Sequence, residues 1–233
     1  MRGRKILISC EHAGNYIPKD YKFMFANAEE ALESHRGWDP GSLGIAKYLA
    51  RHLEAPMFYQ KVSRLLIETN RSLDNKELFS EYTHNIDRSI KNALLAKYYH
   101  PYRDEIENRI KDFIAAGETV LHLSIHTFTP QLNGIVRAVD VGLLYDESRI
   151  EEREFCNQWK GRLDNMLPDR LIMLNCPYNG ADDGFTTYLR TKFPGSAYLG
   201  IELEVNQRYP DTPAMSKINE AFSQSLLSTF LPA

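Results

Sequence analysis

Apolar positions recur in two patterns along the chain. In short runs neighbouring residues point to opposite faces, and in longer stretches every third or fourth residue is apolar. The first pattern predicts strands at Lys5–Cys10, Pro56–Tyr59, Arg64–Glu68, from Val120 toward Pro130, within Ile135–Tyr145, at Leu171–Leu174 and at Ala197–Val205. The second predicts helices at Ala28–Ser34, along the stripe Leu43, Ala46, Leu49, Ala50 and Leu53, over Ile86–Ala116 with an interruption at Pro101, and at Glu147–Met166, Thr186–Phe193 and Ala214–Phe230. The two kinds alternate from end to end, and no Gly/Ser linker, repeat or low-complexity tract divides them. That order predicts one α/β domain spanning 1–233, with a mostly parallel sheet covered on both faces.

The stretch VLHLSIHTFTP, Val120 to Pro130, organises the rest. Alternation puts His122, Ser124 and His126 on one face and Leu121, Leu123 and Ile125 on the other. His126 falls at the carboxyl end of the strand, where α/β sheets bind their ligands. The other predicted strand ends also carry polar groups. They are Glu11 and His12, then His35, Arg36 and Asp39, then Glu68, Asn70 and Arg71, then Asn175, Tyr178, Asp182 and Asp183, and finally Glu202 and Glu204. Two histidines with several carboxylates suit a catalytic zinc, which takes three His, Asp or Glu ligands and keeps one position open for water. A nearby carboxylate would take a proton from that water and an arginine would hold an anionic substrate.

Each of these residues also has a plainer reading. Asp39 precedes Pro40 and a helix, the pattern of an N-cap followed by proline at the first helical position. Glu202 and Glu204 share a face and could pair with Lys or Arg on an edge strand, although two carboxylates inside an apolar strand are expensive to bury unpaired. His35, His52, His84 and His100 read as surface or capping residues, and His122 as a core histidine with a backbone partner. Tyr178 and Tyr209 read as packing residues, and the cysteines as small buried hydrophobes.

Composition narrows the classes. Hydrophobic residues make up 43% and charged residues 25%, the range of a globular protein. The 28 basic and 31 acidic side chains leave a net charge of −3, which gives no general attraction for nucleic acid. Cys10, Cys156 and Cys176 form no paired spacing, which suits a reducing compartment. The apolar run in MRGRKILISC is short for a signal peptide, and no run approaches the ~18 apolar residues of a membrane span. The expectation is a soluble cytoplasmic protein acting on a small molecule, without nucleic-acid or membrane partners.

At these residues the chain resembles the N-formylglutamate amidohydrolase family. The matching segments are CEHAGNYIP at 10–18, GWDPGSLGIAKYLA at 37–50, RLLIETNRSLDN at 64–75, SIHTFTP at 124–130, NCPYNGADDGFT at 175–186 and GIELEVNQRY at 200–209. More distantly, SIHTF and the pair Asn70–Arg71 resemble motifs of zinc carboxypeptidases. The resemblance implies a three-layer α/β/α fold of phosphorylase/hydrolase-like kind with a mostly parallel mixed sheet. It also implies a zinc-dependent amidohydrolase acting on an N-acyl acidic amino acid such as N-formylglutamate. Carried over by position, His12 and His126 become zinc ligands, with Asp39 or Glu11 as the third, since Asn15 stands where carboxypeptidases have a glutamate. Arg71, aided by Asn70, becomes the carboxylate clamp. Arg64 is a further substrate-binding candidate, and Arg137 or Arg208 would meet a second carboxylate. Glu204 or Glu202 becomes the base. Glutamate-hydrolysing members carry PHSG where this chain has CEHAG, which points to a sister branch with a different acyl amino acid. The rival readings are a non-catalytic carboxylate-binding protein of the same fold and a carboxypeptidase or amidase acting on peptide-like substrates.

Overall fold

The computed structural model describes residues 3–230; the first two and last three residues of the expected 1–233 domain lie outside it. Its strands are β1 (Arg4–Cys10), β2 (Met57–Tyr59), β3 (Thr119–Phe128), β4 (Gln131–Leu132), β5 (Ile135–Val136), β6 (Val141–Leu144), β7 (Ile172–Leu174) and β8 (Tyr198–Asn206). Six of them form one sheet in the order β2-β1-β3-β8-β6-β7, in which every neighbouring pair is parallel except β6 with β8. β4 and β5 make a separate antiparallel hairpin. The α-helices are α1 (Glu29–Glu33), α2 (Ser42–His52), α3 (Arg88–Leu94), α4 (His100–Ala115), α5 (Ile150–Met166), α6 (Phe185–Lys192) and α7 (Ala214–Phe230).

The two faces of the sheet differ chemically, and that difference positions the site. On one face Ile6, Ile8 and Cys10 of β1, Leu121, Leu123 and Ile125 of β3, and Leu199, Ile201, Leu203 and Val205 of β8 pack against α2, α5 and α7 in the largest core. Trp159 of α5 is fully buried there, and its indole N–H donates to Ser225 of α7 at 2.8 Å. On the other face α4 and α6 cover Leu7, Val120 and Tyr198, at the amino ends of the strands. Further along that face the residues are polar: Ser9, His122, Ser124, His126, Glu202 and Glu204. The result is the expected three-layer α/β/α fold, with one mainly apolar interface and one that turns polar toward the carboxyl ends of the strands.

Several local expectations are corrected. Arg64–Glu68 is not a strand. Leu66 donates its N–H back to Ser63 O at 2.9 Å, and the segment turns so that Leu65, Leu66 and Ile67 fill a second core with Ile17, Phe25 and Leu94. Burial in that core explains the apolar run without any sheet pairing. Pro101 does not break the helical region. A single π-helical turn at Leu95–Tyr99 joins α3 to α4, and Pro101 follows it as the second residue of α4. Ile135–Tyr145 divides into the short strand β5, an irregular connection and β6. β8 is an interior strand, so Glu202 and Glu204 do not lie on an edge.

Candidate active site

The site begins where β1 and β3 end. Asp39 N donates to His12 O at 3.0 Å, which ties the loop after β1 to the loop before α2. Asp39 is not a helix cap. The cap position of α2 is Gly41, whose φ of 88° lies in the left-handed region and whose missing side chain leaves room for Pro210. The Asp39 carboxylate points inward instead. Its Oδ2 lies 3.2 Å from Nδ1 of His12 and 2.9 Å from Nδ1 of His126. Ligand atoms of His12, Asp39 and His126 all lie within 4.8 Å of one another, and all three residues are buried.

The outer nitrogen of each ring is also engaged. Nε2 of His12 lies 2.6 Å from Oε1 of Glu68. Nε2 of His126 lies 2.9 Å from Ser124 Oγ and 3.3 Å from Oε2 of Glu11. Ser124 Oγ spends its one proton on Glu11, so it accepts from His126, and that proton must sit on Nε2. By the same logic the acid at Glu68 draws a proton to Nε2 of His12. Both Nδ1 lone pairs then face the Asp39 oxygen. Three electron-pair donors aimed at one point repel unless a proton or a metal ion lies among them, and paired carboxylate–histidine supports are a common second layer of metal sites. The donor set therefore fits a divalent metal. Glu11 does not join the converging group; it braces His126 from behind and also accepts from Tyr102 OH at 2.9 Å.

Electrostatics follow from this packing. Burial alone would raise the carboxyl of Glu11, but the hydrogen bond and charge of His126 outweigh it and hold that carboxyl far below its usual range. Burial is likewise overcome at Asp39 by His12 and His126, and at Glu68 by Arg64 and then His12. Burial disfavours a charged His126, yet its bonds to Asp39 and Glu11 raise its pKa well above the ordinary value. Glu204 behaves oppositely. Burial lifts its pKa to about 8 against the opposing pull of His126, with Asp39 and Glu202 adding to the rise. Its Oε2 is buried without a hydrogen-bond partner.

His12, Asp39, His126 and Glu204 line a cavity of about 210 Å³. Asn70 and Arg71 form one wall. Asn70 Oδ1 accepts from Phe185 N at 2.7 Å, and Arg71 Nη1 donates to Asn70 O at 3.1 Å and to Asp183 O at 3.0 Å. Arg64 also lines the cavity, bridging Glu68 Oε2 at 2.7 Å and Asp39 Oδ1 at 3.4 Å. Glu202 lines it too, with Oε1 accepting from Thr186 at 2.9 Å. Arg137 stands behind the wall, donating to Tyr178 OH at 3.0 Å, and Arg208 pairs with Asp140 instead.

Two plainer readings are corrected. Tyr178 lines the cavity rather than serving as a packing residue, whereas His35 is exposed, as expected, and also lines it. His122 is a core histidine, but its partners are the hydroxyls of Tyr198 at 2.8 Å and Ser9 at 2.7 Å, not the backbone. The support role of Glu68 was not foreseen, although its spacing of four residues from Arg64 was a usable signal.

A search of curated proteins finds no match to this chain. Among solved structures, a gene product from Agrobacterium tumefaciens is similar at 25% identity with a TM-score of 0.79, covering 97% of this chain and 91% of its own. An N-formylglutamate amidohydrolase from Ralstonia eutropha shares the fold at 13% identity with a TM-score of 0.67, covering 98% of this chain and 93% of its own. The family profile described as N-formylglutamate amidohydrolase matches residues 4–209, nearly the whole chain. The chain belongs to the N-formylglutamate amidohydrolase family, and is a hydrolase that acts on an amide.

Proposed function

We propose that this chain is a zinc-dependent amidohydrolase that removes the N-formyl group of an acidic amino acid such as N-formylglutamate. The observation that carries the reading is the unpartnered, buried Oε2 of Glu204 in the same cavity as the converging donors of His12, Asp39 and His126. His12, Asp39 and His126 are the metal ligands. An ion bound there supplies a Lewis acid for the scissile carbonyl and brings the pKa of water down toward ~7.

Glu204, whose buried Oε2 has no hydrogen-bond partner in the structure, takes the proton of the attacking water. It then gives the proton to the amino nitrogen as the C–N bond breaks, releasing formate and the free amino acid. Glu202 is the weaker choice of base, because Thr186 already occupies one of its oxygens. Arg71, with Asn70 behind it, grips the α-carboxylate. Arg64 stays near the carbonyl, and Arg137 beside Tyr178 meets a second carboxylate at the rim. The three unpaired cysteines support a cytoplasmic setting.

The test is elemental analysis of the purified protein combined with hydrolysis of a panel of N-formyl and N-acyl amino acids. The expected result is one zinc per chain, turnover of an N-formyl acidic substrate, and loss of both metal and turnover in a folded His126→Ala variant. Undiminished turnover after complete chelation would remove the metal mechanism.

A further inference from the structure

Arg103, in the first turns of α4, is buried (4% exposed), and among the described residues it forms no ion pair with a carboxylate. An unpaired buried cation is costly unless its donors are used. Here they are used on the clamp. Arg103 Nη1 donates to Thr69 O at 3.0 Å and to Arg71 O at 3.2 Å, the carbonyls on either side of Asn70. Its guanidinium is held over three rings, with centroids at 4.8 Å for Tyr99, 4.3 Å for Phe185 and 4.6 Å for Tyr188.

Two of those residues also hold the same segment. Tyr99 OH donates to Arg71 O at 2.7 Å, and Phe185 N donates to the side chain of Asn70 at 2.7 Å. The backbone of 69–71 therefore hangs from α4, the π-helical turn and the start of α6. We propose that Arg103 is a positioning residue for substrate binding: by fixing the two carbonyls that flank Asn70, it sets the direction in which Arg71 enters the cavity. The residue makes no contact with the metal group, so its influence falls on carboxylate recognition. The guanidinium is required for shape as well as charge, because a lysine ammonium carries no planar face to fill the box of Tyr99, Phe185 and Tyr188 and hold the donor against the two carbonyls.

The inference rests on the proposed role of Arg71, and the experiment separates the two. Kinetics on N-formylglutamate, with metal content measured alongside, are compared for the parent, Arg103→Lys, Tyr99→Phe, Arg71→Ala and the Arg71→Ala/Arg103→Lys double variant. Losing hydrogen bonds from a charged group predicts a KM raised about ten- to a hundredfold in Arg103→Lys, with kcat and metal content within about twofold of the parent. Tyr99→Phe deletes one hydroxyl and keeps the ring, and predicts a KM raised about threefold to tenfold. In the Arg71→Ala background, Arg103→Lys should add less than about twofold, since the group it positions is gone.

A purely structural arginine would give additive effects in the double variant, and that result overturns the proposal. An unchanged KM in both folded single variants overturns it as well. Should the parent cleave none of the N-formyl and N-acyl amino acids of the panel, the functional reading falls, and the same variant set is then read by the calorimetric Kd for L-glutamate. Weaker binding in Arg103→Lys that disappears as a difference in the Arg71→Ala background upholds the positioning role. Binding that ignores Arg71 and Arg103 overturns it.

Discussion

His126 of β3 and Glu204 of β8 are register partners on adjacent parallel strands, so their side chains rise from the same face of the sheet. One belongs to the converging donor group and the other carries the buried, unpartnered carboxylate oxygen. Strand pairing alone thus fixes a proposed ligand beside a proposed base. Gly142 of β6 flanks Glu204 on its other side, where a Cβ would come within 3.3 Å of the Glu204 Cβ and within 2.1 Å of Cys176 O.

Replacing Glu204 by Gln keeps the shape and removes the proposed base. The expected outcome is a fall in kcat of about a hundredfold to ten-thousandfold with bound metal retained. Steady-state kinetics with elemental analysis checks it, and an active Glu204→Gln enzyme would shift the role to Glu202.

The same carboxyl gives a pH signature in metal-free protein. Its folded pKa of about 8 lies above the ordinary 4.5, so between those values the folded state keeps a proton that the unfolded chain releases. Stability therefore falls as pH rises through that window, by a few kcal/mol at most on the basis of roughly 1.4 kcal/mol per pKa unit. Glu204→Gln should melt above the chelated parent at pH near 8, and the gap should close toward pH near 5. Parallel melting curves across that range would contradict it.

Glu68 and Glu11 each hold the outer nitrogen of one proposed ligand histidine. Glu68→Gln or Glu11→Gln should weaken zinc binding about ten- to a hundredfold, the usual effect of removing such a support. Competition with a chromophoric chelator measures this without any turnover assay. Unchanged affinity in both variants would mean the carboxylates serve only folding.

Arg71→Ala removes the proposed carboxylate grip and leaves the metal group alone. A loss of about ten- to a hundredfold in kcat/KM is expected from a charge-assisted hydrogen bond, with metal content preserved. Equal loss on substrates with and without an α-carboxylate would assign Arg71 to the protein's own loop instead.

Much of the architecture was legible because the strands that matter are long and two-faced. Alternation in β3 already separated Leu121, Leu123 and Ile125 from His122, Ser124 and His126, and β8 did the same for Glu202 and Glu204. Where an apolar run was buried without pairing, as at Leu65–Ile67, sequence pattern could not tell a turn from a strand. The conflict at Asp39 is equally physical. An aspartate before Pro40 is locally a capping signal, and only the distant Nδ1 atoms of His12 and His126 draw its carboxylate inward. Glu68 needed the tertiary fold for the same reason, since its partner His12 lies far away along the chain.

The two halves of the cavity are anchored differently. His126 and Glu204 sit on the central pair of the sheet, where local opening is most costly. Asn70 and Arg71 lie on an irregular segment suspended by side chains from α4 and α6. Gentle warming or mild urea should therefore loosen the segment that carries Asn70 and Arg71 before it disturbs the strand-borne His126 and Glu204.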